Sequence, residues 1–218
     1  MISTRAAEGF YRVKDRLRFL RGLVPQAWRK ALFAAVVNRA IARLPSRTYI
    51  ADTIVPALGR AGCRKMLFVG AQSYNRALYR LCAEHGLSVR SIDRDPQAAR
   101  FGAPEGHYVG DIRDVARLAP GAAFDCVIFN GVLGFGIDTA ADADAVIDAL
   151  AAVSASGAWL VVGWNPGRTD DGEILAFRRR LAPATLPGLD HACEFPVHGR
   201  VQPYPHRYET FRLHSRPA

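Results

Sequence analysis

Apolar side chains change their spacing twice along this chain. Up to residue 44 they recur every three or four positions: Phe10, Val13, Leu17, Leu20 and Val24, with arginines between them, predict a helix that Pro25 ends. Trp28, Leu32, Val36 and Ile41 carry a second helix that Pro45 closes, and a third is expected over Tyr49 to Leu58. From Lys65 short apolar runs alternate with amphipathic stretches. "KMLFVGA" predicts a strand, "YNRALYRLCAEHG" a helix ended by Gly86, "SVRSIDRDP" a second strand and "GHYVGDI" a short third. "FDCVIFNGV" is the fourth strand, "DTAADADAVIDALAAV" an Asp-rich helix and "GAWLVVGWNPG" the fifth strand. After the helix "DGEILAFRRRLA", the stretches "ACEFPVHGR" and "HRYETFRLHS" predict two strands joined as an antiparallel hairpin at one sheet edge.

Strands separated by helices of this length need right-handed crossovers and a sheet covered on both faces. The expected fold class is α/β: a doubly wound, mostly parallel sheet with an antiparallel C-terminal hairpin strand, preceded by an N-terminal helical cap. The expected division is a basic helical extension over residues 1–60 and the α/β domain over residues 61–218.

The 218 residues, half of them hydrophobic and 22% charged, suit one domain with a full core. No apolar run approaches the roughly 18–20 residues of a membrane span, so no integral membrane association is expected. Arg5, Glu8, Arg12, Lys14, Asp15, Arg16 and Arg18 break up any secretory signal core. Cys63, Cys82, Cys126 and Cys193 are widely spaced, with no C-x-x-C pair, and read as free thiols of a cytoplasmic protein. The net charge of +9 changes the picture more. Residues 1–50 hold 11 basic and 2 acidic groups, leaving 18 of each for the rest of the chain, so the excess belongs to the first segment.

In a doubly wound sheet, ligands bind beyond the carboxyl ends of the strands. Those ends carry Gly70 after the first strand, Asp93 and Arg94 after the second, and Gly110 and Asp111 after the third. Asn130 and Gly131 follow the fourth, and Trp164 and Asn165 the fifth. Asp93 lies 23 residues after Gly70, close to the spacing at which a ribose-binding carboxylate follows a glycine loop. Each residue also has a structural reading: Gly70 as a tight strand-to-helix turn, Asp93 and Asp95 as a "DRDP" turn, Asp111 as a helix N-cap.

In order, "FVGAQSY", "SIDRDP", "GDI" and "FDCVIFNGVLG" resemble the cofactor-binding segments of class I S-adenosylmethionine-dependent methyltransferases. The resemblance runs from about Lys65 to Leu213, its closing hairpin included, and implies a Rossmann-like domain with S-adenosyl-L-methionine as cofactor. It implies that Gly70, Ala71, Gln72, Ser73 and Tyr74 border the methionine end of the cofactor, and Asp93 and Arg94 the ribose. Gly110, Asp111 and Ile112 would flank the adenine, and Asn130, Gly131 and Val132 the sulfonium. The sequence departs from the family where Phe68 replaces a common acid and Gln72 and Tyr74 replace common glycines. Side-chain hydrogen bonds from Gln72, Ser73 and Tyr74 are the expected substitutes.

Other cofactors fit less well. Gln72 and Asn75 stand where a dinucleotide loop needs glycines, and no G-x-x-x-x-G-K loop is present. His191, Cys193 and His198 read as structural positions rather than zinc ligands, and no metal is expected. The expected activity is methyl transfer to a small-molecule oxygen, nitrogen, sulfur or carbon. Trp164 and Asn165 are expected to line the acceptor pocket, and Tyr49, His191, His198, His206 and Tyr208 are candidate general bases. The alternative is a nucleic-acid methyltransferase, or a basic module that binds nucleic acid or a membrane surface through its first helices. "NGVLG" lacks the Asn-Pro-Pro-aromatic motif of base-amine methyltransferases, and an arginine-rich helical cap explains the charge equally well. No feature of the sequence specifies an oligomeric state.

Overall fold

The computed structural model describes residues 38–169, 171–199 and 202–214. The first predicted helix and the second as far as residue 37 lie outside the described residues. Residues 38–41 are helical and end in a turn.

Pro45, expected to close a helix, also opens the next one. At the first turn of α1 (Pro45–Tyr49) its missing N–H costs nothing. A single π turn (Ile50–Ile54) and α2 (Val55–Arg60) follow without leaving helical backbone angles. Pro56 accounts for the wide turn. Its ring crowds the carbonyl four residues back, and the Val55 N–H reaches past it to the Ile50 carbonyl.

Seven strands form one sheet in the order β3-β2-β1-β4-β5-β7-β6. They are β1 (Lys65–Val69), β2 (Ser88–Asp93), β3 (His107–Val109), β4 (Phe124–Asn130), β5 (Ser154–Trp164), β6 (Ala192–Phe195) and β7 (His206–Leu213). β1 to β5 are parallel, while β7 runs antiparallel between β5 and β6. The fold class expected from the sequence is the one observed. β5 starts at Ser154, ahead of the expected Gly157. That glycine takes a φ of +74° beside a register shift between Phe124 and Cys126, so three more residues join the strand.

Alternation along each strand divides the core. Met66 and Phe68 of β1, with Cys126 and Ile128 of β4, pack on Ile50, Ile54 and Leu58 of the first helical run and on Tyr79 and Cys82 of α3 (Asn75–Glu84). Leu67 and Val69, with Val127 and Phe129, face the other way. They meet α4 (Val115–Leu118), α5 (Ala140–Val153) and α6 (Asp171–Arg180), where Phe177 lies 5.8 Å from Phe129 and 6.5 Å from Phe211. Burial on both faces explains why the central strands read as continuous apolar runs.

The expected boundary at residue 60 cuts through this core. Ile50, Ile54, Val55, Ala57 and Leu58 are all buried within it. α1 is pinned to the sheet by the Tyr208 hydroxyl, which donates to the Ser46 carbonyl (2.8 Å), and by Ser46 Oγ donating to Gln202 Oε1 (2.8 Å). Cys63, Cys82 and Cys126 are buried free thiols and Cys193 is half-buried. No helix among the described residues is long and apolar enough to cross a membrane.

Candidate functional site

The carboxyl ends of β1 to β5 surround a cavity of about 390 Å³, and α1 reaches over it with Arg47. Strand order reverses between β1 and β4, so the parallel strands diverge there and leave a crevice between their loops.

Asp93 organises the first wall. Its Oδ2 accepts from the Ala71 N–H (2.8 Å) and its Oδ1 from the Asp95 N–H (2.9 Å). One acceptor position on each oxygen is thereby used, and one remains. Gly70 has a φ of +89°, its N–H donates to the Ile92 carbonyl (2.8 Å), and its carbonyl accepts from Asn75 Nδ2 (3.1 Å). Gln72 and Tyr74 have ordinary negative φ, so the positions where glycines are common need no left-handed backbone here. Both line the cavity, whereas Ala71 is buried beneath the loop and Ser73 lies off the lining.

The second wall is β3 and its turn. Gly110 donates its N–H to the Asp93 carbonyl (2.9 Å), and Asp111 and Ile112 line the cavity. Asp111 is the N-cap of a short 3-10 turn (Ile112–Asp114), and its carboxylate accepts from the Arg113 N–H and guanidinium. The Arg113 hydrogen bonds hold its pKa below the usual carboxylate range. Both readings of Asp111, cap and cavity wall, hold together.

The third wall belongs to β4 and its loop, residues 131–139. Asn130 is buried, with Oδ1 3.0 Å from His206 Nε2 on β7. Its Nδ2 has no hydrogen-bond partner among the described residues. Gly163 of β5 leaves the space that Asn130 Oδ1 fills. Gly131, at φ +69°, donates its N–H to the Gly163 carbonyl (2.9 Å) and lies against the Arg47 guanidinium. Val132 and Phe135 continue the wall, and Gly136 allows the Arg94 guanidinium to cross the loop.

Two of these residues had no sequence signal. Arg47 was one arginine in a basic segment, yet its guanidinium stands 5.2 Å over the Tyr74 ring and lines the cavity. Phe135 is 47% exposed on the cavity wall, with the Arg168 guanidinium 4.0 Å from its ring centroid.

Of the pair expected to line an acceptor pocket, Asn165 lines the cavity, and its Nδ2 donates to the Pro205 carbonyl (2.9 Å). Trp164 does not. It is buried toward α6 with Nε1 3.3 Å from Glu209 Oε1, because β5 alternates and Trp164 faces the side opposite Gly163.

The five candidate bases also lie off the cavity lining. Tyr208 is buried, burial raises its pKa, and its hydroxyl is committed to Ser46. Tyr49 packs between Phe195 (5.2 Å) and Tyr208 (5.9 Å), where burial pushes it up to about 12. Burial, helped by Arg47, pushes His206 down to about 3, so it is neutral at physiological pH. His191 is exposed at the edge near β6, and His198 Nδ1 faces the Pro196 and Val197 carbonyls at 3.3 and 3.2 Å. Among the described residues no three His, Cys, Asp or Glu side chains are grouped to hold a metal ion.

No family model matches the sequence, and no curated protein sequence does. Solved structures do match. The N-methyltransferase NodS of Bradyrhizobium japonicum, in complex with S-adenosylhomocysteine, is 14% identical with a TM-score of 0.59, over 83% of this chain and 97% of that one. The 1,6-didemethyltoxoflavin-N1-methyltransferase of Burkholderia thailandensis, also with S-adenosylhomocysteine, is 16% identical with a TM-score of 0.51, over 88% of this chain and 92% of that one. The shared fold is that of class I S-adenosylmethionine-dependent methyltransferases.

Proposed function

We propose that the chain is an S-adenosylmethionine-dependent methyltransferase acting on a small-molecule acceptor. The observation that carries this reading is Asp93, whose carboxylate borders the cavity with one acceptor position left on each oxygen. Two adjacent ribose hydroxyls supply two donors to such a carboxylate. The residues present fit the rest of the cofactor. Arg47, Gln72 and Tyr74 surround the space for a carboxylate and an amine, with Gly70 giving close backbone approach. Asp111, Ile112, Asn130, Gly131 and Val132 all line the cavity, which supports the reading that the first two flank the adenine and the other three the sulfonium.

When bound, the cofactor supplies an electrophilic methyl group on a sulfonium, which an acceptor lone pair displaces. The chain's part is alignment: the cofactor loops fix one reactant, and the wall from Asn130 to Phe135, with Asn165 beside it, confines the other. A cavity of about 390 Å³ is of the size that small ligands fill. Buried free thiols at Cys63, Cys82 and Cys126 suit a reducing cytoplasm.

Calorimetry with S-adenosylhomocysteine tests the reading. Binding in the micromolar range is expected, and its absence at millimolar ligand would overturn the proposal. A basic binding module without methyl transfer would give that negative result while still retaining RNA or anionic vesicles.

A further inference from the structure

Among the described residues the acceptor side of the cavity offers donors, cations and an aromatic face, and nothing to take a proton. Among the described residues no histidine, lysine or cysteine lines the cavity, and the two carboxylates that do, Asp93 and Asp111, stand on the opposite wall. Both are engaged, Asp93 by the amides of Ala71 and Asp95 and Asp111 by Arg113. His206, the nearest imidazole, is buried behind Asn130 with Nε2 on its Oδ1.

What the wall does offer is specific. Phe135 is a large apolar side chain 47% exposed. Arg168, from the turn after β5, covers one face of its ring at 4.0 Å. Stacking on a neutral ring occupies the face of a guanidinium and leaves its N–H edge for an anion. Arg168 makes no ion pair among the described residues, in contrast to Arg113, Arg179 and Arg180, which each hold an aspartate. Asn130, more than nine-tenths buried, adds an Nδ2 donor without a partner. A basic acceptor such as an amine would meet the cations Arg47 and Arg94 on the lining, with Arg168 next to them on the Phe135 ring, and no counter-charge among the described residues of this side.

We propose that the acceptor is a planar aromatic acid that enters already ionised, its ring against Phe135 and its charge held by Arg168. This rests on the methyltransferase reading. An ionised acceptor needs no base. A lone pair of its anionic oxygen forms the new bond to the methyl carbon, the pair of the broken carbon–sulfur bond stays on sulfur, and the anion and the sulfonium both become neutral.

The test is a matched pair of probes, benzoate and benzamide, titrated into the full chain with and without S-adenosylhomocysteine and read by calorimetry and ligand-detected NMR. Benzoate is expected to bind at least about tenfold more tightly than benzamide, the size of one charge-assisted contact. Arg168→Gln should reduce that preference below about threefold, while Phe135→Ala weakens both probes alike; circular dichroism confirms that these surface variants fold. Equal binding of the two probes, binding of neither, or a full benzoate preference in Arg168→Gln would overturn the proposal. Failure of S-adenosylhomocysteine to bind would strike the methyltransferase reading instead, since the titrations without it still report on the acid site.

Discussion

The two halves of the cavity are held by different means. On the side of β1 to β3, the wall is one carboxylate and the backbone it organises: Asp93 ties the Ala71 and Asp95 amides within a single pair of loops. On the side of β4, β5 and β7, the wall is assembled from side chains far apart in sequence. Asn130 meets His206, Gly163 makes room for both Asn130 and Tyr208, and Tyr208 anchors the helix that carries Arg47. The first half is a local construction and suits a ligand of fixed shape. The second depends on β7 having inserted between β5 and β6, and is where one protein of this fold can differ from another.

The sharpest way to break the contrast is at Asp93. Asp93→Ala removes both acceptors proposed for the ribose and the loop's own tie, and should weaken S-adenosylhomocysteine binding at least about 100-fold, two charge-assisted hydrogen bonds being lost. Benzoate binding should be kept. Equal losses of both ligands would show that the halves are not separable.

The second half makes its own prediction through His206. Its folded pKa of about 3 lies below the ordinary value of 6.5, first because it is buried and then because of Arg47. The folded chain therefore holds fewer protons than the unfolded chain between those two values. Stability from this group is complete above pH 6.5 and falls as the pH drops toward 3, by up to about 1.4 kcal/mol per pH unit. Thermal unfolding across that range should show the slope, and His206→Gln should flatten it. An unchanged slope in the variant would mean that His206 does not control the acid stability of this wall.

The sequence made the first half readable because each of its residues follows a predicted strand. A parallel sheet brings the carboxyl ends of its strands to one side, so Gly70, Asp93 and Asp111 meet without knowledge of their contacts. The departures at Gln72 and Tyr74 resolve in the same terms, since only Gly70 in that loop needs a positive φ. The second half was readable only at the strand ends, Asn130, Gly131, Val132 and Asn165. Arg47 looked like one charge of a solvated excess, and nothing in the sequence singled out Phe135. His206 and Tyr208 looked like candidate bases because nothing local told that β7 would be interior. The helical run before residue 60 was hard to read for a related reason. A basic helix was taken as an extension, while its apolar positions Ile50, Ile54 and Leu58 were filling the core.

Arg47 sharpens the comparison because it joins the two halves, resting on Tyr74 of one and Gly131 of the other. Arg47→Gln should cost S-adenosylhomocysteine about tenfold, the value of one charge-assisted hydrogen bond to its carboxylate. The same variant should bind decarboxylated S-adenosylhomocysteine as well as the unaltered chain does. A tenfold loss for that ligand too would assign Arg47 to packing rather than to the carboxylate.

The smallest effect is expected at Trp164, one residue from the cavity. Trp164 Nε1 approaches Glu209, and Arg178 also donates to that carboxylate (3.0 and 2.6 Å). Burial works against ionisation of Glu209, but the Arg178 guanidinium outweighs it and holds the carboxyl below its usual range. Trp164→Phe keeps most of the apolar contact, and Glu209 keeps both its arginines, Arg178 and Arg207, so only one long hydrogen bond is lost. The expected cost is about 1 kcal/mol of stability in denaturant unfolding, with cofactor and benzoate affinities changed by less than about twofold. A tenfold loss of either ligand in a variant this stable would return Trp164 to the acceptor wall. It would also mean that the parity of β5, which places Gly163 and not Trp164 beside Asn130, is misassigned.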